Sequence, residues 1–406
     1  MRVLLCALEA PLPPLNNGQR LVVGALLRHL RERHDVRVLA YRASDQVDER
    51  GETPMRLLSH PVPTSPFPRR LSRAAAFASG ILHDRPQRVD ALSERLRRPL
   101  QEELERFQPD LVHVCWGMLA PLGRDLAGRA TVLGLLNAWH LDIEAQADAA
   151  TGLYRRLYRR LYHGVAQRVR RFEATEYRSF GRVVVVTQED CDAIAALDPK
   201  VPLAVIPNGV DIGFYGEAVP TVRDPDRIVF HGVMDYPPNI NAAEFLARQV
   251  MPRVRAARPQ AKLAIVGRAP TARIRALARQ PGVEVTGEVP DLRPWLQGSR
   301  VGICPMLIGT GIKNKLLEAM ASGLPCVATT LSVRGLQVAD GRELFVADDA
   351  EALAAHVVRL LEDDALATSI GAAGRAYVRG HHGWDRVVQS YEAVYQEVRA
   401  ATPAST

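Results

Sequence analysis

The residues most able to do chemistry stand together in VGICPMLIGTGIKNKLLEAMASGLPCVATT, residues 301–330. Gly309 and Gly311 lack side chains, so the backbone N–H groups around Thr310 can approach a ligand closely. A helical pattern follows from Ile312, and a helix N-terminus favours an anion through its free N–H groups and dipole. Lys313 and Lys315 add positive charge in what reads as the first turn. Glu318, one turn on, can accept hydrogen bonds from a pair of hydroxyls. An anion at the turn and a diol beyond it describe a nucleotide. A plain glycine turn, with solvated lysines and a Lys315–Glu318 pair at i, i+3, fits the same local pattern.

Positioning those residues takes a strand, a turn, a helix and a second strand. Val301–Leu307 is an apolar run of strand length. Leu316, Leu317 and Met320 give the helix one apolar face. Gly323 suits the position after the helix C-cap, Pro325 prevents continuation, and Cys326–Thr329 reads as the next strand. Such a unit implies a parallel sheet.

The same alternation fills the chain of 406 residues, which suggests two domains. Strands are expected at Val3–Leu8, Val36–Tyr41, Asp110–Cys115, Thr131–Leu136, Val183–Thr187 and Leu203–Ile206. Pro207-Asn208-Gly209-Val210-Asp211 and a polar stretch to Asp226 mark a boundary. Strands resume at Ile228–Val233, Lys262–Val266 and Val283–Thr286, with a helix over Asn241–Ala257. Residues 43–85 are proline-rich and poorly patterned, with one short helix expected near Ala74–Leu82. Residues 144–180 read as helical. The division expected is 1–208, 209–382, a helix over 383–400 that packs back on the first domain, and a disordered tail at 401–406.

Hydrophobic content of 47% and charged content of 24% are ordinary for a globular protein. The net charge of +7 favours anionic partners. Five scattered cysteines support neither a disulfide framework nor a zinc site. No apolar run is long enough to span a membrane, and Met1-Arg2 leads straight into a short strand rather than a signal peptide. These features suggest a cytoplasmic protein, peripheral to the inner membrane face if membrane-associated. No basic groove of nucleic-acid type is evident.

Proline-Asn-Gly-Val-Asp at the junction, a later strand ending in glycine, then Val266-Gly267-Arg268 and finally LLEAMASGLPCVAT, in this order, resemble the retaining glycosyltransferases of family four. The resemblance implies the GT-B fold: α/β, two Rossmann-like domains with parallel sheets facing across a cleft. It implies a nucleotide-sugar donor, transfer with retention to a glycan, lipid-linked or small-molecule acceptor, and no cofactor or metal. Glu318 matches the family glutamate that contacts the ribose. The first glutamate of the family pair falls on Thr310. Gly311, Ile312, Lys313 and Lys315 fall in the backbone that cradles diphosphate and sugar, next to Gly309. The family's Arg and Lys after the strand ending at Gly232 are absent: Val233 and Pro238 stand there. Lys313 and Lys315 are the candidate replacements, with Lys315 favoured because it shares a face with Glu318. GTGIKNKLLEAMA, with Gly232-Val233-Met234 and Pro238-Asn239, is similar to a sub-branch associated with exopolysaccharide synthesis.

The resemblance also draws in Gly18, in the loop after the first strand, His140 beside the reacting sugar as tentative catalytic residue, and Arg268. Val289 lies where the family reads the base through main-chain atoms. LYRRLYRRLYHGVAQRVRRFE, from Leu153, is a basic amphipathic helix, suited to an anionic membrane surface through residues 153–171 or to burial of its Leu/Tyr stripe. His381-His382 reads as a turn. A non-catalytic nucleotide-sugar-binding protein, or a GT-B epimerase or phosphorylase, are the alternative functions.

Overall fold

A computed structural model describes residues 1–12, 18–42, 55–59, 89–148 and 155–402. They form two compact units: residues 1–207 with 387–406, and residues 208–386.

The first unit holds strands β1 (Arg2–Ala7), β2 (Asp35–Arg42), β3 (Met55–Ser59), β4 (Leu111–Cys115), β5 (Thr131–Gly134), β6 (Arg182–Val185) and β7 (Leu203–Val205). They make one sheet in the order β3-β2-β1-β4-β5-β6-β7. Every pairing is parallel, as in Leu5 opposite both Val38 and His113. Such a sheet is covered on both faces, which is why β1 and β4 are continuous apolar runs rather than alternating ones. Val3–Ala7 is wholly buried. The second unit repeats the plan with β8 (Arg227–His231), β9 (Lys262–Val266), β10 (Val283–Gly287), β11 (Val301–Cys304), β12 (Cys326–Ala328) and β13 (Phe345–Val346). Its order is β10-β9-β8-β11-β12-β13, again parallel throughout. The α/β class and Rossmann-like sheets are therefore as the sequence reads.

Several boundaries differ. Strand β3 lies inside the segment expected to be irregular. Its pairing with β2 supplies the order that its own pattern does not. The helix expected near Ala74–Leu82 lies outside the described residues. The helical stretch expected at 144–180 is two helices, Trp139–Asp148 and Arg155–Glu176, with a short 3₁₀ turn after the second. The helix expected from Asn241 starts at Pro237, where proline suits the first turn. It passes through a π turn at Leu246–Val250 just before Pro252, whose ring cannot fit a regular turn above it. The last helix runs from Trp384 through Ala401. Its later part belongs to the first unit, where the Tyr395 hydroxyl meets Nδ1 of His113 at 2.7 Å and Glu392 pairs with His34. His382 is buried within the second unit; its Nδ1 lies 3.0 Å from the Asn208 carbonyl, and its own carbonyl accepts from the Val210 N–H. No helix among the described residues is long and apolar enough to cross a membrane.

Candidate functional site

In the second sheet, β8 lies between β9 and β11, so the chain order reverses beside β8. Open α/β sheets bind ligands at such a switch point, outside the carboxyl ends of the strands. Here β8 ends at His231 with Gly232 next, and β11 runs on toward Gly309. Two glycines make the backbone compact at this edge. Gly232 has φ 153° and Gly267, after β9, has φ 147°. A Cβ on Gly267 would stand 1.8 Å from the Gly232 carbonyl oxygen. The Met234 N–H donates to the Arg268 carbonyl at 2.9 Å, tying the two loops together.

The turn after β11 has Gly309 at φ 119° and Gly311 at φ 68°, both left-handed. The following helix is Asn314–Ala321, starting two residues later than its sequence pattern suggests. Lys313 is the residue before it, in extended conformation. Its ammonium donates to the carbonyls of Thr310 (2.9 Å) and Gly311 (2.8 Å). Lys313 thus braces the turn. At the other end Gly323 has φ 73°, its N–H donates to Met320, and Leu324 donates to Ala319, the closing pattern that the sequence implies.

Lys315 is placed differently. Its ammonium stands 4.9 Å from the centre of the Phe230 ring and 3.7 Å from the Met306 sulfur, and it donates to Oδ1 of Asn239. Asn239, buried, donates its own amide to the Val233 carbonyl at 2.9 Å. The ammonium lies 3.1 Å from where a Cβ on Gly232 would be. A cation therefore reaches the glycine loop from the helix, although none follows Gly232 in sequence. Burial pushes the Lys315 pKa below its ordinary value, an effect that neighbouring Cys304 and Glu318 offset. Of the three ammonium donors, Asn239 takes one and the thioether a weak second.

Glu318 lies one turn along the same helix. Its Oε2 is 2.8 Å from Nε2 of His231, which is 7% exposed. Tyr215 is a neighbour of the same carboxylate; burial first, and then Glu318, push its pKa far above 10. Sequence reading missed His231 and Tyr215. The one available signal was a histidine ending an otherwise apolar strand.

Among the other expected residues, Ile312 is buried at 8% exposure, so its side chain serves the core and only its backbone can face a ligand. Thr310 lies between the two left-handed glycines. Arg268 follows Gly267 in the loop tied to Met234, and Val289, half-buried, follows β10 and Gly287, whose φ is 76°. Gly18 and His140 lie in the first unit. Gly18 opens the helix Gly18–Leu30, and the loop before it, with Asn17, lies outside the described residues. His140 is buried, and its Nδ1 bonds to Glu173, itself fully buried. Glu173 also accepts from the Trp139 N–H at 2.8 Å and the Tyr177 hydroxyl at 3.4 Å. Trp116, at the end of β4, has φ 123°, an uncommon value for a residue with a side chain. In the basic helix, Ala166, Val169 and Phe172 are buried, Arg159 pairs with Asp148 and Arg170 with Glu144. The side chains of Arg155 and Arg156 lie outside the described residues. Among the described residues, no group of three or more His, Cys, Asp or Glu side chains could hold a metal ion.

Residues 16–214 match the family model for Glycosyltransferase Family 4, and residues 225–363 match that for Glycosyl transferases group 1. The first match covers mainly the first unit, and the second lies within the second. The chain belongs to the family 4 glycosyltransferases. A phosphatidyl-myo-inositol mannosyltransferase of Mycolicibacterium smegmatis is 31% identical over 207 residues, covering 48% of this chain and 52% of that protein. The chain thus spans about half the length of the curated relative it matches. Likeness to solved structures extends further. Sucrose-phosphate synthase from Thermosynechococcus elongatus superposes with a TM-score of 0.71 at 18% identity, covering 99% of this chain and 100% of that one. Anabaena HepE in complex with UDP and glucose gives 0.66 at 16% identity, covering 97% and 99%. These likenesses establish the GT-B fold of the family member.

Proposed function

We propose that this protein transfers a sugar from a nucleotide-sugar donor to a lipid-linked or glycan acceptor, with retention of configuration and without a metal. The observation that carries the reading is the Lys315 ammonium beside Gly232, on the helix that follows the glycine turn and bears Glu318. Donor diphosphate against the glycine turn and Lys315, with ribose hydroxyls on Glu318, uses the turn, the cation and the carboxylate of this edge. As the bond from the anomeric carbon to the diphosphate oxygen breaks, negative charge grows on the leaving group, and a preorganised cation stabilises it. The acceptor hydroxyl forms its new bond on the same face of the sugar, and its proton passes to the departing phosphate oxygen. His140, held by Glu173, is assigned to the reacting sugar by family resemblance. The relative named above acts, by its name, on phosphatidyl-myo-inositol. A lipid-linked acceptor at an anionic surface is accordingly the reading for the basic helix, and absence of binding to anionic vesicles at low salt would remove it. The GTGIKNKLLEAMA segment supports the exopolysaccharide-associated sub-branch.

Thr310, where the family has a glutamate, favours the rival reading of a non-catalytic nucleotide-sugar-binding protein. One experiment separates the two. Thermal shift with common nucleoside diphosphates, in chelator, is expected to raise Tm, since binding to the folded state alone at a hundredfold excess over Kd stabilises by about 2.7 kcal/mol. Release of diphosphate from the matching nucleotide sugar, with acceptor present, is then expected. A shift without turnover on any donor favours the non-catalytic protein. No shift with any diphosphate, with or without magnesium, ends the donor-site assignment.

A further inference from the structure

The Glu318 carboxylate is approached from two elements far from it in sequence. A glutamate on a half-exposed helix face samples many rotamers, and fixing one has an entropic cost. Here Oε2 faces Nε2 of His231 at 2.8 Å. The histidine is the last residue of β8, 7% exposed and adjacent to the wholly buried Phe230, so its ring is carried by the rigid sheet. Tyr215, on the short helix Ile212–Gly216, is a neighbour of the same carboxylate. Ionised carboxylates present about four lone-pair sites. With one taken by the imidazole, sites remain for a further pair of donors.

We propose that His231 is a positioning residue that presets Glu318 for a vicinal diol, and so sets the preference for ribose over deoxyribose. The inference rests on the reading of this edge as the nucleotide-sugar site. Its role is through Glu318: it holds the acceptor in the orientation it needs, so the ligand does not bear that cost on binding. A histidine that merely fills the core would affect all ligands alike.

The test is calorimetric titration of wild type, His231→Leu and His231→Gln with UDP, GDP and ADP, and with their 2′-deoxy counterparts. His231→Leu is expected to weaken the bound ribonucleotide roughly tenfold while leaving its deoxy counterpart nearly unchanged, so that discrimination collapses. His231→Gln restores most of it, because an amide N–H can replace the imidazole one. His231→Ala is expected to show the same pattern, and it carries the test if His231→Leu fails to fold. Equal losses for both sugars, or no loss, in folded variants overturn the proposal. Glu318→Gln separates the two levels. If it leaves discrimination intact, or if the wild type binds none of these nucleotides, the nucleotide reading of this edge falls too. If it abolishes discrimination while the His231 variants keep it, only the positioning role is lost.

Discussion

The first unit closes two buried histidines on internal partners, whereas the second gathers a lysine, a glutamate and a histidine at the ends of its strands. His113 is buried beneath the last helix on Tyr395, and His140 is buried on Glu173, whose carboxylate also takes the Trp139 N–H. In the second unit Lys315, Glu318 and His231 stand where β8 and β11 diverge, beside left-handed glycines. The same parallel-sheet plan thus supports two uses of charge. A complete internal pair roughly offsets its own desolvation, but halving it costs the unit heavily. Groups at a switch point are only partly satisfied by the protein, and a ligand can complete them.

The largest effect expected from this contrast is in the first unit. Glu173→Ala strands His140 and the Trp139 N–H in a buried setting, and loss of about 3–5 kcal/mol is expected in chemical denaturation. Diphosphate affinity of the folded fraction should not change. A parallel fall in affinity would break the division of labour between the units.

Lys315→Ala should do the opposite. A charge-assisted hydrogen bond contributes about 1.5–3 kcal/mol, so diphosphate binding weakens tenfold to a hundredfold while a plain nucleoside is affected far less. Equal weakening of nucleoside and diphosphate would make Lys315 a structural residue. The smaller effect is one of pH. Burial lowers the His113 pKa from 6.5 to about 3. Below pH 6.5 the unfolded chain takes up a proton that the folded unit refuses. Stability is therefore fully present above 6.5 and declines toward pH 3, by at most about 1.4 kcal/mol per pH unit from this group. His113→Asn, followed by acid unfolding, should flatten that slope; an unchanged slope would assign it to other groups.

How much of this was legible in the sequence follows from distance along the chain. The glycine turn, its helix, the Gly323 stop and the alternating strands are local patterns, and each is found close to its expected place, the largest slip being strand β11, which ends at Cys304 rather than Leu307. Lys315 was identifiable because it shares a helix with Glu318. Its partner Asn239 is 76 residues away and His231 lies 87 residues from Glu318, contacts that only the strand order creates. Strand β3 was hidden for a related reason, since Met55–Ser59 depends on β2 for its conformation. The helix start moved to Asn314 because the Lys313 ammonium folds back onto the Thr310 and Gly311 carbonyls, a side-chain choice that periodicity does not register. In the first unit, His140 stood out as a histidine in a loop, but its seal against Glu173 did not.

The central claim, that the second unit's strand ends hold the nucleotide, is tested most directly by hydrogen exchange of the whole protein with and without a bound nucleoside diphosphate. The account predicts slowed exchange in two segments, Gly232 to Asn239 and Gly309 to Glu318, with backbone amides of the glycine turn among the most protected. Protection confined to the first unit, with both segments unchanged under saturating ligand, would contradict it.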